Sequence, residues 1–215
     1  MGRTSDAKAR LVAAMADLVH RRGYLGVGVD EVCKAAGVKK GSFYHFFPSK
    51  RDLMLAALDQ HWQMGRDHVI DAAFNDHLPP LERIERFFAV VAGLEAANRD
   101  SRGHVLGCPF GNIAAEVGTS DPALTKRADE AFWGFAGFVR DALSDAKTRG
   151  DLERTVDVNE AADAVVAYFE GLALLAKTRN DPSLILRLGA RAVQLATRPP
   201  HRAARRRRKT VKRRS

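Results

Sequence analysis

Apolar positions recur along nearly the whole chain at intervals of three and four, the spacing of helix faces turned toward a core. Leu11, Met15, Leu18 and Val19 form one stripe, ended by Gly23, a residue that accepts the left-handed backbone of a helix C-terminus. A short run from Val29 through Val32, Cys33 and Ala36 stops at Gly37, and a third short piece covers Lys39 to Phe46. Ser49-Lys-Arg-Asp52 has the form of a capping box and opens a helix with Leu55, Leu58 and Trp62 on one face. After Pro79-Pro80, the residues Leu81, Ile84, Phe87, Phe88, Val91 and Leu94 keep the helical spacing. Asp121-Pro122 pairs a cap with proline at the first helical position, starting a long helix through Leu124, Ala128, Phe132, Phe135, Val139 and Leu143 to Gly150. Asp157-Val-Asn-Glu160 caps the helix of Val165, Tyr168, Phe169, Leu172 and Leu175. Asp181-Pro182 starts the last helix, with Ile185, Leu188, Ala192 and Leu195, and Pro199-Pro200 ends it. The period-two alternation of a half-buried strand is missing from the sequence, so the pattern predicts an all-α chain of about nine helices.

Charge divides this chain into parts. A water-soluble globular protein is indicated by 215 residues with 46% apolar and 28% charged side chains, and the net charge of +9 points to a polyanionic partner. Residues 1–55 hold ten basic and five acidic groups, whereas residues 56–197 hold 15 and 21. Residues 198–215 hold ten Lys or Arg and no acid; this tail repels itself and is expected to be disordered. It reads either as a solubilising appendage or as a source of nonspecific, salt-sensitive DNA affinity. These changes of charge divide the chain into a basic part at 1–55, an acidic part at 56–197 and the basic tail at 198–215. Two cysteines, Cys33 and Cys108, make neither a disulfide framework nor a zinc ligand set. No apolar run approaches the roughly 20 residues that span a bilayer, and Met1 to Asp6 lack the core of a secretory signal. No membrane partner and a cytoplasmic location, associated with the nucleoid, are therefore expected.

Three short helices within the first 50 residues, two joined by a tight turn at Gly37, fit a helix-turn-helix. Val29 to Ala36 would support, and Lys39 to Phe46 would enter the major groove. Lys39 and Lys40 sit at the N-terminal end of that recognition helix, where side chains meet base edges and the helix dipole favours phosphate. Gly41 and Ser42 are small enough for close approach, Tyr44 and His45 can hydrogen-bond phosphate, and Lys50 can reach the backbone beside them. Phe43 and Phe47 read as anchors to the domain core, and Cys33 as the filler of a small buried site.

The stretch from Gly23 to Leu58, GYLGVGVDEVCKAAGVKKGSFYHFFPSKRDLMLAAL, resembles the tetracycline-repressor (TetR) family of bacterial transcription regulators. The resemblance is densest over Gly37 to Lys50. It implies three helices for DNA and six for dimerisation and effector binding, so that a DNA-binding domain is expected at 1–55 and a ligand-binding and dimerisation domain at 56–197. It also implies a homodimer that reads a palindromic operator in double-stranded DNA and usually represses until a small molecule binds. One departure is that Val27 and Gly28 stand where the family commonly has Ser or Thr, so the second helix loses a hydroxyl cap.

In the acidic middle the resemblance points to a mostly apolar effector pocket between the helices bearing Trp62, Phe87, Phe110, Trp133 and Tyr168. Phe132, Trp133 and Phe135 point in different directions round one helix, so they cannot all face one core. Gly107-Cys-Pro-Phe-Gly-Asn112 resembles a Gly-Cys-x-x-Gly-Asn segment found in a subgroup of the family that includes electrophile-responsive repressors. Cys108 lies just ahead of a helix N-terminus, where a thiolate is favoured. It reads as a pocket-lining residue, as a redox or electrophile sensor, or as a buried unreactive thiol. In the last two long helices, Ala161, Ala164, Val165, Phe169, Leu172, Ala176, Leu188, Ala192 and Leu195 offer apolar faces for core and dimer seam.

The sequence carries no catalytic set: no phosphate loop, nucleophile elbow or dinucleotide fingerprint. His61 with His68, and His104 with Cys108, complete no metal site, and no cofactor is implied. A ligand-responsive DNA-binding regulator, most simply a repressor released by a small hydrophobic or electrophilic effector, is the expected function. A nonspecific nucleic-acid packaging protein using the basic tail is the alternative.

Overall fold

The computed structural model describes residues 2–198; the expectations for the basic tail beyond Arg198 lie outside the described residues. Helices α1 (Gly2–Arg22), α2 (Val29–Ala36) and α3 (Lys40–Phe46) form the N-terminal head. Helix α4 (Lys50–Gly65) continues through a π-helical turn (Arg66–Ile70) into one more α-turn (Asp71–Ala73). Then come α5 (Pro80–Arg102), α6 (Pro109–Val117), α7 (Pro122–Arg149), α8 (Val158–Arg179) and α9 (Ser183–Thr197). Among the described residues the chain is therefore nine helical rods, as the apolar periodicity predicts; the π-turn carries no sequence signal.

The ends of these rods follow local chemistry. Gly37 closes α2 with φ 61°, and its amide and that of Val38 bond back to Lys34 O and Cys33 O. Gly28 caps α2 with no side-chain hydrogen bond, the consequence of the missing hydroxyl. Ser49 accepts from the Asp52 amide at 3.2 Å and donates its hydroxyl to the Asp52 carboxylate at 2.6 Å. Asp121 and Asp157 each accept from two amides of the helices they open.

Two apolar cores result. In the first, Leu11, Met15, Phe43 and Leu53 are fully buried, and the head also recruits Phe110, Ile113 and Val117 of α6 and Leu124, Ala128 and Ala131 of α7. The second joins α5, the later part of α7, α8 and α9 around an aromatic group. There Phe87 stacks on Phe135 at 4.2 Å between centroids, with Phe169 edge-on to both. Gly189 lets α9 close on α5, because a side chain there would strike Phe88. Val165, Phe169, Leu172, Ala176 and Ala192 are buried in this core, so they are not free for a partner. Leu174, Leu175, Leu186 and Leu195 are exposed instead.

Candidate nucleic-acid interface and effector cavity

The head presents one polar surface. Phe43 and Phe47 point into the core, and that orientation leaves Lys39, Lys40, Gly41, Ser42, Tyr44 and His45 exposed on the outer side of α3. Lys40 pairs with Asp30 of α2 at 2.8 Å, which fixes the start of α3 against the supporting helix and raises the ammonium pKa. Tyr44 sits edge-on to Phe43 at 5.0 Å, so its phenol stands away from a fixed ring.

Lys50 is placed differently from the sequence expectation. Its ammonium donates to Tyr24 O and Val27 O, each at 3.0 Å, and lies 4.1 Å from the Tyr24 ring centroid. Burial lowers its pKa. The α1–α2 turn ends in carbonyls that need a donor, and Lys50 supplies it rather than reaching toward phosphate. Lys50→Met is expected to destabilise the head by about 1–3 kcal/mol, the cost of removing a charged donor from partly buried acceptors. Urea unfolding of the two proteins checks this.

The same turn is held from the other side by a residue with no sequence signal. Both carboxylate oxygens of Glu116, in the last turn of α6, accept backbone amides, from Tyr24 and from Leu25, each at 2.7 Å. Gly23, at φ 79°, leaves room for this carboxylate, which lies 2.9 Å from where a Cβ would stand. Two ion pairs add to the tie: Arg102 of α5 with Asp17 of α1 at 2.9 Å, and Arg127 of α7 with Asp59 of α4 at 2.6 Å.

Beside this clamp lies a cavity of about 440 Å3 between α1, α4, α6 and α8. His20 and His61, in edge-to-face contact at 5.7 Å, line it together with Lys177 and Asn112. Burial, reinforced by the charges of His61, Arg102 and Lys177, lowers the His20 pKa to about 4, and burial also lowers that of His61.

The six residues expected to line an effector pocket are not gathered around one space. Phe87 is stacked in the second core, and Tyr168 donates its hydroxyl to Leu188 O at 3.0 Å. Trp62 and Phe110 pack edge to face at 6.1 Å beneath Arg127. Trp133 is 67% exposed, with the Arg140 guanidinium 4.8 Å over its ring. Cys108 caps α6 but its thiol is pushed well above the usual range, first by burial and then by the Glu170 carboxylate that it faces. The amides of Phe110 and Gly111 pull the other way and are outweighed, which reverses the thiolate expectation. Its loop is fixed by Glu95, buried and raised in pKa by that burial, which accepts from Leu106 at 2.7 Å and Gly107 at 3.3 Å. Among the described residues no group of three potential ligands is placed to hold a metal.

A basic helix-turn-helix surface, clamped to a helical body with a cavity at the junction, defines a DNA-binding transcription regulator. The chain belongs to the TetR family: residues 11–57 match the model of bacterial regulatory proteins of the tetR family, and residues 80–192 that of the tetracyclin repressor-like C-terminal domain. It is similar to the transcriptional regulator AcuR of Cereibacter sphaeroides, with 33% identity over 83% of this chain and 80% of AcuR. The HTH-type transcriptional repressor NemR of Escherichia coli K12 is 25% identical over 80% of this chain and 84% of NemR. Among solved structures, a TetR regulatory protein from Rhodobacter sphaeroides superposes with a TM-score of 0.75 at 28% identity, covering 86% of this chain and 98% of that one. A TetR regulator from Chloroflexus aurantiacus gives 0.79 at 25% identity, covering 93% and 98%. These relatives are named as regulators, and the chain is a DNA-binding regulator rather than an enzyme. No helix among the described residues is long and apolar enough to cross a membrane.

Proposed function

We propose that the protein is a dimeric repressor acting in the cytoplasm on the nucleoid, reading a palindromic operator through α3 and released by a small molecule. The observation that carries this reading is the Glu116 clamp, because it joins the head to a helix that walls the cavity. Lys39, Lys40, Gly41, Ser42, Tyr44 and His45 meet the groove and its phosphates. The exposed leucines of α8 and α9 pair with those of a second copy about a two-fold axis, which supplies the symmetry a palindrome needs.

A ligand in the cavity displaces α6, and Glu116 carries the displacement to Tyr24 and Leu25 at the start of the supporting helix. The helix opening at Ser49 carries it along the other wall. Half-sites lie about 34–36 Å apart, so a few ångströms of change between the two recognition helices lower operator affinity. The Gly107–Asn112 segment sets the chain with the family members of that pattern, and there Cys108 packs against Glu170 to position α6 in its neutral form.

Footprinting on the DNA flanking the gene tests the reading. A short protected palindrome, retained at salt concentrations that release random DNA, is the expected result. Equal affinity for all sequences would favour a packaging protein instead.

A further inference from the structure

The cavity between α1, α4, α6 and α8 has walls of two kinds. Val19, Met54, Ala57 and Ile113 offer apolar surface, while His20 and Lys177 offer polar groups. His20 lines the cavity, and its Nε2 is buried with no hydrogen-bond partner; a turn of the imidazole toward the cavity would give that nitrogen a ligand atom to bond. We propose that this cavity binds a small monocarboxylate with a short apolar body, its carboxylate received by His20 and Lys177. The inference rests on the ligand-responsive reading and gives that ligand a place and a chemical class.

The charges around His20 decide the sign. On α1, Arg21 is paired with Asp17 and Arg22 with Glu31; on α5, Arg102 is paired with Asp17. On α6, Glu116 is occupied by the Tyr24 and Leu25 amides. On α8, Lys177 gives one hydrogen bond to Asn112 Oδ1 at 3.0 Å, and an ammonium has three to give. His61 on α4 lies edge-on to His20 at 5.7 Å, and its charged form acts on His20 with the same sign as Arg102 and Lys177. The field at His20 is thus cationic, hostile to a metal ion and favourable to an anion.

A carboxylate beside His20 raises the pKa from its free value near 4, so binding takes up a proton. Affinity therefore strengthens as pH falls toward that free value, as long as the ligand stays ionised. The apolar wall holds the body of the acid, and about 440 Å3 suits a ligand of modest size.

Isothermal titration of the full chain with butyrate and benzoate, and with butyramide and benzamide as uncharged counterparts, tests the site at pH 7.5 and 5.5. The expected result is that at least one acid binds about tenfold or more tightly than its amide and gains about fivefold or more at the lower pH. Lys177→Met and His20→Gln are each expected to weaken it about tenfold, with thermal melts confirming that both variants fold. Absence of binding by either acid, equal binding of the amides, or affinity indifferent to pH and to both variants would overturn the proposal. Acid binding that leaves operator affinity unchanged would uphold the site and defeat the ligand-responsive reading. Operator release by other small molecules, with neither acid bound, would do the reverse.

Discussion

Glu116→Ala is expected to leave a protein that binds operator but is released at least tenfold less effectively by its effector. The carboxylate accepts two amides at 2.7 Å, and one hydrogen bond to a charged acceptor contributes about 1.5–3 kcal/mol. The Leu25 amide is exposed and can turn to water, so the loss for the pair is placed at about 2–3 kcal/mol. Coupling between allosteric sites is commonly about 1–3 kcal/mol, so losing this clamp removes a tenfold or larger effector response. Operator dissociation constants with and without effector measure it. Glu116→Gln keeps one acceptor oxygen and is expected to fall between the two. An alanine variant with the full response would place the coupling entirely in α4.

Phe43→Ala is expected to cost about 3–5 kcal/mol and to abolish operator binding at growth temperature. Phe43 has no exposed surface and is the pin that holds α3 on the head, packed against Phe47 and Tyr44. With it gone, the polar side of α3 has no fixed plane from which to reach the groove. Phe43→Leu refills most of the volume and should retain binding, at a cost below about 1.5 kcal/mol. Urea unfolding, followed by operator binding at a temperature where both variants are folded, separates loss of stability from loss of recognition.

The parts of the molecule that were readable from sequence are those governed by neighbours in the chain. Gly37 in the left-handed region and the caps at Ser49, Asp121 and Asp157 are set within a few residues, and the structure has each of them. The outward face of α3 followed from Phe43 and Phe47 by helical spacing alone. Contacts between distant segments were not readable. Glu116 and the Tyr24 amide are 92 residues apart, and no periodicity links them. Lys50 had a plausible phosphate to reach, but carbonyls 23 and 26 residues earlier lie closer. The helix behind Cys108 favours a thiolate by local rules, whereas burial and then Glu170 on another helix raise its pKa. Round α7, spacing showed that Phe132, Trp133 and Phe135 face different ways; only packing reveals that Phe135 is the buried one and Trp133 the exposed one.

The charge pattern has a similar lesson. Among the basic groups of the head, Lys40 is paired with Asp30 and Lys50 with the α1–α2 turn, while Lys39 stands exposed at the start of α3.

This surface of α3 is expected to discriminate one DNA sequence from others. The most direct measurement is the ratio of affinities for the footprinted operator and a scrambled duplex at one salt concentration, for the wild type and for Tyr44→Ala. A specific regulator is expected to show a ratio of about 10³ or more. Tyr44→Ala, with unchanged thermal stability, is expected to weaken operator binding about tenfold, the scale of one lost contact. A wild-type ratio near one, or an operator affinity indifferent to the loss of Tyr44 and equally to Lys39→Ala and Ser42→Ala, would contradict the account.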